Sequence, residues 1–235
     1  KICLIMIVKD EDDGIRRCLD SIIPFIDSWV VVDTGSVDDT PKLVKDALRH
    51  LPGELLHEPW IDFSTNRNQS LEVARKYGDY ILFIDADDVL TANGASTFRN
   101  LTQDGYFVNI LDSGIEYKRV QLVSNTPTWR FRGVLHEFID LGKDASLGHI
   151  PASIIRGSES ARRKNADVFV KDAQIIAQSR LADKVIERQR AQRALFICRL
   201  DMALQLRVIG GQDTHALSSF KARRMRSCKL SLASP

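Results

Sequence analysis

No stretch of this chain approaches the roughly 18 to 20 consecutive apolar residues of a membrane-spanning helix. The apolar run from Ile2 to Val8 gives way at once to Lys9, Asp10 and Glu11. It is too short and too acidic at its end for a signal peptide, so it reads as a first strand and implies a cytoplasmic protein. Cysteine is sparse and scattered: Cys3, Cys18, Cys198 and Cys228 have no CxxC spacing, which excludes a zinc ribbon or finger and leaves reduced, core-filling thiols. Neither basic run, ARRK nor KARRMRSCK, is interleaved with aromatic residues, and the net charge is only +2. A base-stacking nucleic-acid surface is therefore not indicated. With 44% hydrophobic and 27% charged residues the chain is neither disordered nor low in complexity.

What is present divides into two unlike halves. Up to about residue 90, strands alternate with helices. Ile2 to Val8 is followed by Ile15, Cys18, Leu19 and Ile22 at helical spacing, and Trp29 to Val32 ends at Asp33. The turn TGSVDDTP then leads into a helix with Thr40 as cap, Pro41 at its first position and Leu43, Val44, Ala47, Leu48 and Leu51 as its buried stripe. A short strand at Leu55 and Leu56 and a helix from near Ser64 carrying Leu71, Ala74 and Tyr77 come next, before YILFIDADDVL. This order predicts a mostly parallel sheet with loops gathered at the strands' carboxyl ends, where open α/β sheets bind ligands. From about 105 to 155 the pieces GYFVNIL, KRVQLVS, TWRFRGVLHEFIDL and HIPASII read as antiparallel strands completing a mixed sheet. Residues from about 165 to 208 read as two antiparallel helices, followed by a basic tail.

Three strand ends carry acids: Lys9-Asp10-Glu11, Asp33, and Asp85-Ala86-Asp87-Asp88. A lone DxD is expected about once by chance in a chain of this length, and an Asp after a strand often caps the next helix. Carboxylates crowded at the end of a buried strand nevertheless raise one another's pKa unless a cation neutralises them. Oxygen-only ligands completed by a substrate diphosphate and water suit Mg²⁺ or Mn²⁺.

Five ordered blocks, ICLIMIVKDEDDGIRRCLDSI, WVVVDTGSVDDTP, WIDFSTNRNQSL, GDYILFIDADD and WRFRGVLHEFIDL, resemble glycosyltransferase family 2 enzymes of the GT-A fold. The resemblance is clear over residues 1–141 and weak over 150–205, and it is nearest the branch in which a tetratricopeptide-like helical segment follows the catalytic domain. It implies an α/β, Rossmann-like mixed sheet flanked by helices over residues 1–155 and a helical segment with a basic tail over 156–235. It also implies a nucleotide-sugar donor, a UDP-sugar first among them, Mg²⁺ or Mn²⁺ as cofactor, and transfer with inversion. The acceptor is left open among glycan, peptide, lipid and modified nucleic acid, and the C-terminal helices are where a protein partner or a second copy of the chain would bind.

Carried over residue by residue, the resemblance puts Val8, Lys9 and Glu11 near the base and ribose. Asp33, with Gly35 and Ser36, falls at the second strand end beside the nucleoside, and Arg67 and Asn68 fall beside the nucleotide and its phosphates. Asp85 and Asp87 stand on the metal-binding DxD, Asp87 as the direct ligand and Asp85 also toward the ribose or donor sugar. Glu137 is the candidate base and His136 a metal, diphosphate or orienting residue. On a regular strand the two cannot face one cleft unless the strand bends or ends there. Relatives tend to carry a histidine where this chain has Arg156, which cannot ligate a metal but can bind phosphate in two-pronged fashion. The competing readings are a nucleotide-sugar-binding module without turnover and a nucleotidyltransferase; the latter wants a Gly-rich basic loop where KDEDDG is acidic.

Overall fold

A computed structural model describes residues 1–133 and 137–157. The strands are β1 (Ile2–Val8), β2 (Ser28–Asp33), β3 (Gly53–His57), β4 (Tyr80–Phe83), β5 (Val89–Ala92), β6 (Gly105–Asp112), β7 (Ile115–Ser124), β8 (Arg130–Arg132), β9 (Phe138–Asp140) and β10 (Leu147–Ile155). The helices are α1 (Ile15–Ile22), α2 (Thr40–Leu48) and α3 (Phe63–Ala74). Eight strands form one mixed sheet in the order β3-β2-β1-β4-β7-β6-β10-β5, and β8 and β9 form a separate antiparallel pair.

β1 and β2 occupy the interior because their apolar runs are unbroken. Such strands suit a sheet covered on both faces, and Leu4, Ile5, Met6, Val30, Val31 and Val32 are fully buried. On one face α1 and α2 bring Ile15, Cys18, Leu19, Ile22, Val44 and Leu48 against Leu4, Met6, Leu82, Val108 and Ile110. On the other, Leu71 and Ala74 of α3 pack with Cys3, Ile5, Val30, Ile81, Val123, Trp129 and Phe131.

β1, β2 and β3 run parallel outward, and the chain then returns to lay β4 parallel on β1's other side. That reversal of strand order opens a crevice at the carboxyl ends of β1 and β4. The register places Val8 beside Asp33 and Asp33 beside His57, so one row crosses three strand ends.

Two strand expectations are corrected. β10 pairs parallel with β6 and antiparallel only with β5. TWRFRGVLHEFIDL is two strands rather than one: Gly133, at φ +100°, ends the first in a conformation that disfavours residues with a side chain, and the chain returns as β9. The C-terminal helices and basic tail expected after Gly157 lie outside the described residues. Among the described residues no helix is long and apolar enough to cross a membrane.

Candidate functional site

The loops after β1 and β2 are laced together. Asp10, at φ +52°, accepts from the Val37 N–H (2.8 Å), and its own N–H donates to the Ser36 hydroxyl (3.0 Å). The Glu11 N–H donates to the Thr40 hydroxyl (2.8 Å), and the Asp12 N–H to Asp38 (3.2 Å). Thr40 therefore ties two loops together where the sequence suggested only a helix cap. The Val8 carbonyl accepts from both the N–H (2.9 Å) and the hydroxyl (3.1 Å) of Thr34.

Asp33, almost fully buried, organises this floor. Its Oδ1 accepts from the Ser36 N–H (3.0 Å) and hydroxyl (2.5 Å), and its Oδ2 lies 3.1 Å from His57 Nδ1. Gly35, at φ +101°, has open space where a Cβ would stand, so the backbone is bare on that side. Lys9 is exposed and Glu11 half-buried beside it.

The acid turn follows β4. The Asp88 N–H donates to the Asp85 carbonyl (3.1 Å), which folds the three carboxylates into one tight bend. Arg67 reaches it from α3. Asp62 caps that helix by accepting from the Thr65 N–H (2.8 Å), and Arg67 begins a stripe continued by Ser70, Leu71 and Ala74, all buried. Arg67 donates through Nη2 to Asp85 Oδ1 and through Nε to Glu137 Oε1 (2.6 Å), with its guanidinium 5.7 Å from the Phe131 ring centre. Arg156 approaches from the end of β10, its Nη1 on Asp85 Oδ2 (2.8 Å) and Asp88 Oδ2 (3.2 Å). The neighbouring Gly157 N–H donates to Asp88 Oδ1 (3.1 Å).

These charges set the protonation of the turn. Burial alone would push the Asp85 carboxyl up, but Arg67, Arg119 and Arg156 outweigh it and hold it well below the usual carboxylate range. Asp88 is pushed up to about 7, by burial first and then by the charge of Asp85. Both arginines are held more firmly protonated than in water, because the acids beside them outweigh the cost of burial.

Arg119 and Gln121 went unnoticed in the sequence. Gln121 accepts from Arg119 Nε (2.8 Å) and donates to the Phe83 carbonyl (2.8 Å), fixing the end of β4. A register shift between Tyr106 and Phe107, opposite this part of β7, defeats simple alternation there. His57 gave no signal beyond its place at a strand end.

The site thus unites Arg67, Asp85, Asp88, Glu137 and Arg156. Asn68 turns elsewhere: its amide donates to the Phe131 carbonyl (2.9 Å) and accepts from the Phe131 N–H (2.8 Å), which braces β8 against α3. His136 lies outside the described residues. Among those described, no group of three or more His, Cys, Asp or Glu side chains is arranged to hold a metal. Asp85 is fully engaged by arginines, so a two-carboxylate metal clasp does not fit. Asp87 does fit a single-carboxylate role, since its Oδ2 is buried without a partner.

A family model described as Glycosyl transferase family 2 matches residues 3–140. A TPR repeat-containing protein of Synechococcus elongatus is 36% identical over 149 residues, 60% of this chain and 36% of the relative. The chain therefore spans little more than a third of that relative's length. Among solved structures, S. aureus TarS 1-349 in complex with UDP-GlcNAc is 15% identical, covering 78% of this chain and 67% of its own, with a TM-score of 0.50. The mannosyltransferase PcManGT of Pyrobaculum calidifontis in complex with GDP-Man and Mn²⁺ is 16% identical, covering 77% and 64%, also at 0.50. At these identities the likeness is one of fold: a mixed sheet flanked by helices.

Proposed function

The chain belongs to glycosyl transferase family 2, and on that premise we propose that it moves a hexosyl group from a nucleotide-diphosphate sugar, a UDP-sugar first among them, to an acceptor nucleophile with inversion. The observation that carries this reading is the convergence of Arg67, Asp85, Glu137 and Arg156 at the crevice between β1 and β4, with donor N–H groups of both arginines buried and unpartnered.

In this reading the nucleoside lies over the laced floor of Val8, Lys9, Glu11, Asp33 and Gly35, with Ser36 holding Asp33 in place. Arg67 turns its unpartnered Nη1 toward the phosphates while Nε and Nη2 keep Glu137 and Asp85 fixed. Glu137, held at Oε1, takes the acceptor's proton at Oε2 as the new glycosidic bond forms and the bond to the diphosphate breaks. Asp87 would hold Mg²⁺ or Mn²⁺, which when bound offsets charge on the departing diphosphate. For His136 the role stays the one the resemblance implies, a metal, diphosphate or orienting residue. We place the catalytic domain at residues 1–155, a tetratricopeptide-like helical segment after it, and the protein in the cytoplasm. The relative named for TPR repeats supports the second of these.

One observation favours a second reading, a donor-binding module without turnover: Glu137 is ion-paired to Arg67 at 2.6 Å, which restrains a base. A thermal-shift panel of UDP, GDP and ADP, with and without Mn²⁺, tests the shared premise. One nucleotide should raise the unfolding midpoint by several degrees, and no shift for any of them would overturn both readings. Release of nucleoside diphosphate from the matching nucleotide-sugar then separates enzyme from module.

A further inference from the structure

Arg156 follows directly on β10, and the backbone there is fitted flush against the acid turn. A Cβ on Gly157 would stand 2.2 Å from the Asp87 carbonyl oxygen, so only glycine allows this approach. With Gly157 seated, Arg156 delivers Nη1 to both Asp85 and Asp88.

Among the described residues, three buried polar atoms are left over around this arrangement: Arg156 Nε, Arg67 Nη1 and Asp87 Oδ2. Arg67 and Asp87 are each only 5% exposed. Buried charged donors without acceptors are costly and rare, and here two flank the same carboxylate. The acids, by contrast, are largely answered from within the chain. Asp85 receives a guanidinium on each oxygen, and Asp88 receives Arg156 and the Gly157 N–H. An incoming diphosphate meets two arginines with hydrogens to donate and, in Asp87, one carboxylate lacking a cation.

We propose that Arg156 is a built-in counterion of the acid turn that also donates its Nε–H to the donor's diphosphate, so that nucleoside diphosphate binds without a divalent ion. The proposal rests on the donor-binding reading above and specifies how much of the charge at that site the chain itself supplies. Only the forked guanidinium can do both: Nη1 stays on the carboxylates while the unpartnered Nε is left to donate to the ligand, which a lysine ammonium cannot reproduce.

Calorimetric titration of UDP, GDP and ADP, each in excess EDTA and in excess Mn²⁺, provides the test. Wild-type protein should bind its matching nucleotide in EDTA within about tenfold of its affinity in Mn²⁺. Arg156→Gln should lose about thirtyfold or more in EDTA while losing less than about threefold in Mn²⁺. Arg156→Lys should recover the unfolding midpoint but not the binding in EDTA. If it recovers both, the Nε contact is refuted. Binding that requires Mn²⁺ in the wild type overturns the proposal and leaves the donor-binding reading intact. Absence of binding under both conditions overturns that reading as well. The wild-type comparison needs no variant, so the proposal stays open to refutation even if Arg156→Gln fails to fold.

Discussion

Arg67 and Arg156 close on a single carboxylate from opposite sides: Arg67 Nη2 bonds Asp85 Oδ1 and Arg156 Nη1 bonds Asp85 Oδ2 at 2.8 Å. The two arginines come from α3 and from the end of β10, elements far apart in the chain, and Asp85 is where they meet. This pairing makes the acid turn a structural joint as well as a candidate binding site.

Asp85 and Asp87 should therefore fail differently when neutralised. Asp85→Asn leaves two arginines facing an amide and should cost about 2–4 kcal/mol in urea unfolding, since breaking one partner of a buried ion pair strands the other. Asp87→Asn removes no ion pair seen here and should stay within about 1 kcal/mol of wild type. It should instead abolish whatever gain Mn²⁺ brings to UDP binding, read by calorimetry. Equal unfolding costs for the two variants would contradict the geometry.

Glu137→Gln keeps the size and polarity of the side chain but not its basicity. Steady-state kinetics should show kcat lowered by about 10² to 10⁴. Donor affinity, measured separately by titration, should change by less than about threefold if the side chain acts only on the acceptor's proton. An unaltered kcat would remove Glu137 from the role of base.

Asn68→Ala strips both backbone groups of Phe131 of their partner. Stability should fall by about 1–3 kcal/mol, while nucleotide affinity holds. The opposite pattern, binding lost and stability kept, would mean that Asn68 faces the ligand after all.

The two described thiols predict both chemistry and a pH trend. Burial pushes Cys3 up to about 11, and Cys18 is also raised well above the usual thiol range, by burial first and then by the charge of Asp88. Neither should be alkylated in the folded protein at neutral pH, and both should be labelled in urea, as peptide mapping would reveal. The folded chain keeps protons that the unfolded chain begins to lose near pH 9. Stability should therefore fall as pH rises toward 11, by up to about 1.4 kcal/mol per unit for each thiol. The fall should be shallower in Cys18→Ala.

The parallel half of the fold was legible because buried parallel strands write themselves as unbroken apolar runs, as in Ile2 to Val8. Arg67 was legible only through the family resemblance; its place four residues before Leu71, on the same face of α3, is what carries it inward. The partner of β10 was not legible, since alternation of exposed and buried residues has the same period in parallel and antiparallel ladders. Carboxylates crowded at the end of a buried strand pointed to an external cation; the structure adds two arginines that already answer Asp85. A pairing of Arg156 with an acid 71 residues away leaves no trace in local pattern.

The stitching of Asp10, Ser36, Val37, Glu11 and Thr40 has its own bearing on recognition. Segments fastened to each other in the free protein have little configurational freedom left to surrender when a guest settles on them. Discrimination on this side of the crevice then follows the shape of a rigid seat, as with a key cut for one lock, and adaptation falls to whatever closes over it.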